Sequence, residues 1–251
     1  MINEKVVMII QARMGSKRLP GKSMLELAGE PLIGRIIERV KNCKNLNEIV
    51  LAIPNNEQNF CLRDIAVKYN VNVFLGSEDD LVNRYYEAAK FHKADIVVRL
   101  PADNAVPEPV EIDKIINLHL SLKKRGFTSN LAPFFGSNYP DGIGAEVFDF
   151  DLLSEINFKK KTAAKKEHLH LNFFNYETQQ PVDKVWCPIN TLKCPRKYSR
   201  PDLILDINTF DQYQFMKNLY QDLYFKNPNF NILDIIKWYD NKKIWRSPKN
   251  E

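Results

Sequence analysis

An α/β fold, with a mostly parallel sheet and helices on both faces, is what this sequence predicts, and three observations predict it. Strand-like and helix-like segments alternate through the first hundred residues. The strands are short apolar runs, such as Val6-Val7-Met8-Ile9-Ile10, typical of parallel strands buried on both sides. The segments between them carry apolar residues at three- and four-residue spacing, with charged residues elsewhere.

In order, Val6 to Ile10 reads as the first strand. A helix follows from Leu32, where Ile33, Ile36, Ile37 and Val40 share one face and Arg35, Glu38 and Arg39 the other. Glu48 to Ile53 is a second strand, closed by Pro54-Asn55-Asn56, and Phe60 to Tyr69 a second helix. Val71 to Leu75 is a third strand. Ser77-Glu78-Asp79-Asp80 then reads as a helix start with Ser77 as the N-cap, and Leu81, Tyr85, Ala88 and Ala89 carry the helix inward. Asp95 to Leu100 is the fourth strand, and crossovers between parallel strands are almost always right-handed.

A helix-like segment from Glu108 to Lys123 comes next, and then the regularity fades. Residues 126–150 are rich in Asn, Pro, Gly and Phe and read as an irregular insertion. Val182 to Trp186 and Leu203 to Asp206 are expected strands, and Phe210 to Tyr220 and Ile232 to Tyr239 closing helices. The chain is therefore expected to form a single domain over residues 1–240. Residues 241–251 form a polar tail in which Trp245 serves as an anchor.

Composition narrows the function classes. The chain has 251 residues, 44% hydrophobic and 11% aromatic, with a net charge of +5. That is enough apolar content for a real core, and the charge suits an anionic small substrate. No arginine-rich helix or aromatic–basic ladder points to nucleic acid, and no apolar run reaches membrane-spanning length. Cys43, Cys61, Cys187 and Cys194 form no CxxC pair and no zinc spacing. No signal-peptide pattern is present, so a reduced cytoplasmic location is expected.

The chemistry concentrates in one loop. After the first strand, Arg13, Lys17, Arg18 and Lys22 crowd into ten residues, with Gly15 and Gly21 allowing tight turns that expose backbone amides. Four cations and free N–H groups beyond the carboxyl end of a strand suit a polyanion such as a triphosphate. Asp103, directly after the fourth strand, faces the same edge. A carboxylate beside phosphates is costly unless a divalent cation lies between them, so Asp103 reads as a Mg²⁺ ligand or as a turn-capping aspartate. Asp206 ends another apolar run and could share that metal, whereas Asp211 reads as the first turn of a helix. In Tyr139-Pro140-Asp141-Gly142 the turn explains Gly142 and leaves Asp141, with Glu146, free to bind hydroxyls of a second substrate. Glu167-His168 and His170 could line a pocket or lie on an exposed helix face.

The run Ile10-Gln11-Ala12-Arg13-Met14-Gly15-Ser16-Lys17-Arg18-Leu19-Pro20-Gly21-Lys22 closely resembles the opening motif of the cytidylyltransferases. These include the CMP-Kdo and CMP-acylneuraminate synthetases and, nearest in pattern, the spore-coat polysaccharide cytidylyltransferase-like group. Gly76 to Asp80 with Arg84, Val97-Val98-Arg99, Asp103, Tyr139 to Gly142, Glu146, Glu167-His168 and Leu205-Asp206 resemble its later blocks. The resemblance implies a nucleotide-diphosphosugar transferase, Rossmann-like fold. It also implies transfer of CMP from CTP to a sugar acid, with release of pyrophosphate. By analogy, Gln11 and Ala12 meet the cytosine or ribose, Arg13, Gly15, Ser16, Arg18 and Lys22 hold the triphosphate, and Arg84 lies near the base. Lys22 and Arg13 are the expected catalytic cations, Asp103 and Asp206 the Mg²⁺ ligands, and Asp141, Glu146 and His168 the acceptor side. A homodimer is expected from the resemblance, with Phe134-Phe135 in a candidate interface. Departures at Asn83, Pro101, Ala102 and Asn104-Ala105-Val106 bear on base preference and acceptor identity. The readings left open beside it are a metal-dependent glycosyltransferase and an inactive nucleotide-binding homologue.

Overall fold

The computed structural model describes residues 4–122, 124–130, 136–175, 178 and 180–242. Strand β1 (Val6–Gln11) enters the basic loop, which ends in a 3₁₀ turn at Lys22–Met24. A small hairpin, β2 (Glu26–Leu27) and β3 (Glu30–Pro31), leads to α1 (Leu32–Val40). Then come β4 (Glu48–Pro54), α2 (Cys61–Lys68), β5 (Asn72–Gly76), α3 (Leu81–Phe91), β6 (Ile96–Pro101) and α4 (Pro109–Ser121). Beyond them lie β7 (Phe127–Ser129), β8 (Glu146–Asp149), α5 (Phe150–Phe158) and α6 (Ala163–Glu167). The chain closes with β9 (Phe174–Asn175), β10 (Gln180–Pro181), β11 (Ile189–Thr191), α7 (Phe210–Leu223) and α8 (Ile232–Asn241).

Seven strands form the central sheet in the order β11-β7-β8-β6-β1-β4-β5. The β1/β4, β1/β6, β4/β5 and β7/β11 pairs are parallel, and β8 alone runs antiparallel to both its neighbours. Side chains alternate between two cores, as the two-residue strand repeat requires. Met8 and Ile10 of β1, with Leu51 and Ile53 of β4, pack against α1, α2, α4, α7 and α8. Val7, Ile9, Val50 and Ala52 pack against α3 and α5 on the opposite face. The expected α/β architecture with helices on both faces is the observed one.

The structure corrects several details. The irregular stretch at residues 126–150 contains β7 and β8, which continue the main sheet. They are three and four residues long, too short for a period to stand out among the surrounding Pro and Gly. Val182 to Trp186 is a turn. The Asp183 carboxylate accepts the N–H groups of Val185 and Trp186 at 2.8 and 3.0 Å, and the Val185 side chain is left 95% exposed. The strand of that region is β11. Leu203 to Asp206 pairs only through isolated bridges, Asp141 with Ile204 and Asn104 with Asp206. The N-cap of α3 is Asp80, which accepts the Asn83 N–H, and Ser77 instead receives the Asp80 N–H. Arg35 and Arg39 are buried because α7 and the segment before α8 cover the polar face of α1. Arg35 stacks on Tyr224 and bonds the Leu27 carbonyl, and Arg39 bonds the Pro107 and Phe230 carbonyls. Phe134-Phe135 and Trp245 lie outside the described residues. All four cysteines are free thiols. Among the described residues no helix is long and apolar enough to cross a membrane.

Candidate active site

The carboxyl ends of β1, β4, β5 and β6 lie along one edge of the sheet, and the basic loop crosses that edge. The loop closes on Met14, whose carbonyl accepts the N–H groups of Ser16 and Gly21 at 2.9 and 3.0 Å. Gly21 adopts φ +72°, a left-handed conformation that a side chain would strain, and it caps the turn carrying Lys22. The Ser16 hydroxyl accepts the Leu19 N–H at 3.4 Å, within the loop.

Lys22 is the hub. Its ammonium meets Asp103 Oδ2 at 3.1 Å, the Ile207 carbonyl at 2.9 Å and Asn208 Oδ1 at 3.3 Å. Arg18 reaches the same Asn208 oxygen at 2.9 Å, and the Asn208 amide donates to Asp206 Oδ2 at 2.5 Å. Lys22, Arg18, Asp103 and Asp206, predicted from three separate stretches, are thus one cluster. Backbone pairing fixes it, because the Ile207 N–H donates to the Asp103 carbonyl at 2.9 Å.

Asp141 belongs to the same cluster. It exchanges backbone hydrogen bonds with Leu203 and Leu205, which sets it beside Asp206. Gly142 makes that approach possible. Its φ is +86°, and a Cβ there would lie 2.7 Å from the Asp206 backbone nitrogen. Burial, and then the charges of Asp141 and Asp103, push the Asp206 carboxyl up to about 7, against the pull of Lys22. Burial also pushes Asp141 up to about 6, with Asp103 adding to the effect. Asp206 Oδ1 is buried and has no hydrogen-bond partner.

A buried, unsatisfied carboxylate oxygen among crowded like charges is a donor set that suits a hard divalent cation. Among the described residues no group of three or more His, Cys, Asp or Glu side chains is arranged as a metal-ligating cluster. A cation here would therefore take carboxylate oxygens from Asp103 and Asp206 and the rest from water and phosphate, the usual coordination of Mg²⁺.

The other predicted residues fall into two further groups. Arg13 pairs with Glu167 Oε1 at 3.0 Å, which brings the end of α6 over the loop. Arg84 is buried near it and donates to the Ser77 carbonyl at 2.9 Å. Burial pulls its guanidinium down to about 10, and the Arg13 charge adds to that pull. Its Nε has no partner. Beneath the loop, Gln11 Oε1 accepts from Arg99 Nε at 3.1 Å, and Arg99 forms a buried 2.7 Å ion pair with Glu146. Ala12 is buried and donates its N–H to the Ala52 carbonyl at 3.3 Å. His168 caps the end of α6 in an exposed position. His170 is half-buried, not on an exposed helix face, and burial pulls it down to about 3.

One contributor was missed by sequence reasoning, and a second was named without its partner. Asn208 links both loop cations to Asp206, but before Thr209 it reads only as the approach to a capped helix. Glu167 drew attention for its neighbour His168, and nothing in its spacing indicated that it would meet Arg13.

The cytidylyltransferase family profile matches residues 7–240. The chain belongs to the cytidylyltransferase family. It is 29% identical over 221 residues to the spore coat polysaccharide biosynthesis protein SpsF of Bacillus subtilis, with 86% of each chain covered. A solved cytidylyltransferase from Leptospira borgpetersenii superposes with a TM-score of 0.85 at 26% identity, covering 99% of each chain. A structure of CMP:2-keto-3-deoxy-manno-octonic acid synthetase complexed with CTP shares the fold, with a TM-score of 0.64 at 15% identity. That match covers 87% of this chain and 99% of the other.

Proposed function

We propose that this cytidylyltransferase transfers CMP from CTP to a hydroxyl of a sugar acid or related small acceptor, releasing pyrophosphate. The observation that carries the reading is the cluster in which Lys22 and Arg18 face Asp103 and Asp206 through Asn208. Cations for a triphosphate and carboxylates for its metal converge at one strand edge, where α/β folds bind ligands. The kinship with a spore coat polysaccharide biosynthesis protein supports a role in surface-glycan synthesis, and the proposed location is the cytoplasm.

The acceptor hydroxyl attacks the α-phosphorus of CTP in line, forming a new O–P bond and giving up its proton to water as the bond to the bridging oxygen of pyrophosphate breaks. Such a transfer depends on positioning and charge neutralisation. Lys22, held by three acceptors, and Arg13, released from Glu167, would bind the phosphate oxygens and stabilise charge on the leaving group. Asp103 and Asp206 would hold Mg²⁺, which when bound neutralises triphosphate charge. Gln11, Ala12 and Arg84 would serve the nucleoside end, Gly15, Ser16 and Arg18 the phosphates, and Asp141, Glu146 and His168 the acceptor.

A pyrophosphate-release screen crossing the four ribonucleoside triphosphates with a panel of sugar acids tests this. CTP with at least one sugar acid is expected to release pyrophosphate, and only when Mg²⁺ is present. Release of a nucleoside diphosphate from a nucleotide sugar, or pyrophosphate release with a purine triphosphate alone, would overturn it.

A further inference from the structure

Asn59 lies outside every part of the site named so far, yet its side-chain oxygen is committed to the basic loop. It is 0% exposed, in the 3₁₀ turn Glu57–Asn59 that follows β4. Its amide does not cap α2. Instead Oδ1 accepts the Met14 N–H at 2.8 Å, from 45 residues upstream. The other face of the same peptide is also held, because the Arg13 carbonyl accepts the hydroxyl of buried Ser23 at 3.3 Å. The Arg13–Met14 peptide unit is therefore clamped on both sides by buried side chains. The rest of the loop is hung from it, since the Met14 carbonyl receives Ser16 and Gly21.

Asn59 is itself oriented from a third loop. Its Nδ2 donates to Asn56 Oδ1 at 2.5 Å, and Asn56 Nδ2 donates to Glu78 Oε2 at 2.7 Å. An amide oriented by a neighbouring amide presents one defined atom to Met14, and a buried amide kept in this way is costly to leave unpaired. The relay joins the segment after β5, to which Arg84 is bonded through Ser77, to the segment after β1.

We propose that Asn59 is a positioning residue for nucleotide binding. It sets the direction in which Arg13 leaves the sheet and the start of the turn that carries Ser16, Arg18 and Lys22. Asn56 and Glu78 hold it in register. The proposal rests on the reading of that loop as the triphosphate site.

The test compares wild type, Asn59→Ala and Asn56→Ala by hydrogen exchange over residues 13–22, calorimetry with CTP and steady-state kinetics. Asn59→Ala is expected to speed exchange in that segment about tenfold and to weaken CTP binding by a similar factor, the scale of one lost hydrogen bond. KM for CTP rises in step while kcat at saturation stays within about threefold, since bound nucleotide restores the loop. Asn56→Ala, at a half-exposed position, is expected to move exchange and KM the same way by a smaller factor, and it decides the matter if Asn59→Ala does not fold. Folded variants with wild-type exchange over 13–22 and wild-type CTP affinity would overturn the proposal. Wild-type protein that binds no CTP would instead overturn the proposed function, with the exchange data still reporting whether Asn59 orders the loop.

Discussion

The two ends of the central sheet treat carboxylates in opposite ways. At the amino end, Glu48 at the start of β4 accepts from Asn72 at 2.6 Å, contacts His92 Nδ1 at 2.6 Å and pairs with Lys5 at 2.7 Å. Burial opposes its charge, but the hydrogen bonds from Lys5 and His92 outweigh burial and hold the carboxyl below its usual range. At the carboxyl end, Asp206 and Asp141 are pushed upward by burial, with Asp141 and Asp103 adding to the effect on Asp206 and Asp103 to that on Asp141, and one Asp206 oxygen has no partner. One end is matched for stability. The other is left charged and under-satisfied, the condition in which a ligand supplies what the protein withholds.

Substitutions sharpen that contrast. The largest effect is expected from Lys22→Ala, which lowers turnover by about 10²-fold or more, the scale of losing one preorganised charge-stabilising donor. A steady-state assay showing unimpaired turnover would remove Lys22 from the mechanism. Asp206→Asn is expected to lower metal-dependent turnover while raising the melting temperature by a few degrees, because a buried carboxyl crowded by like charges and with one unpartnered oxygen is removed. If its melting temperature fell instead, the carboxyl end would not be the strained one.

Glu48→Gln should do the reverse, costing about 1–2 kcal/mol of stability in denaturant titration with pyrophosphate release unchanged. Its pH dependence has a defined sign. A carboxyl held below its usual range stabilises the fold above the ordinary carboxylate range near pH 4.5. That contribution is lost as pH falls through the lowered value. The stability difference between wild type and Glu48→Gln is therefore expected to be full at pH 6 and to shrink as the solution is taken below pH 4. A difference that grew on acidification would contradict the assignment.

How much of this was legible in the sequence depended on range. Strands β1, β4, β5 and β6 and the helices between them follow from local period, because Val6 to Gln11 and Ile96 to Pro101 are long enough to show it. The basic loop was legible because charge density and glycine placement are local too. Strands β7 and β8 were hidden because their residues are strand-forming only in the company of β6 and β11. Val182 to Trp186 misled because two valines and a tryptophan read as a strand, whereas Asp183 turns the backbone at its own position. Asn59 and Asn208 were invisible as contributors for a different reason. An asparagine in sequence signals a turn, and only tertiary structure shows that one amide holds Met14 and the other faces Lys22. Asp103 and Asp206 do meet at one edge, although the run before Asp206 is no strand, and their crowding with Asp141 depends on the close approach at Gly142.

The central claim is that the loop and the carboxylates form one site, in which the metal joins nucleotide to protein. Calorimetric titration of CTP into wild type and Asp206→Asn, each with Mg²⁺ and with EDTA, tests it most directly. The account predicts that Mg²⁺ strengthens CTP binding to wild type by about tenfold or more and that most of this gain disappears in Asp206→Asn. CTP affinity indifferent to Mg²⁺, or a Mg²⁺ gain fully kept in Asp206→Asn, would contradict it.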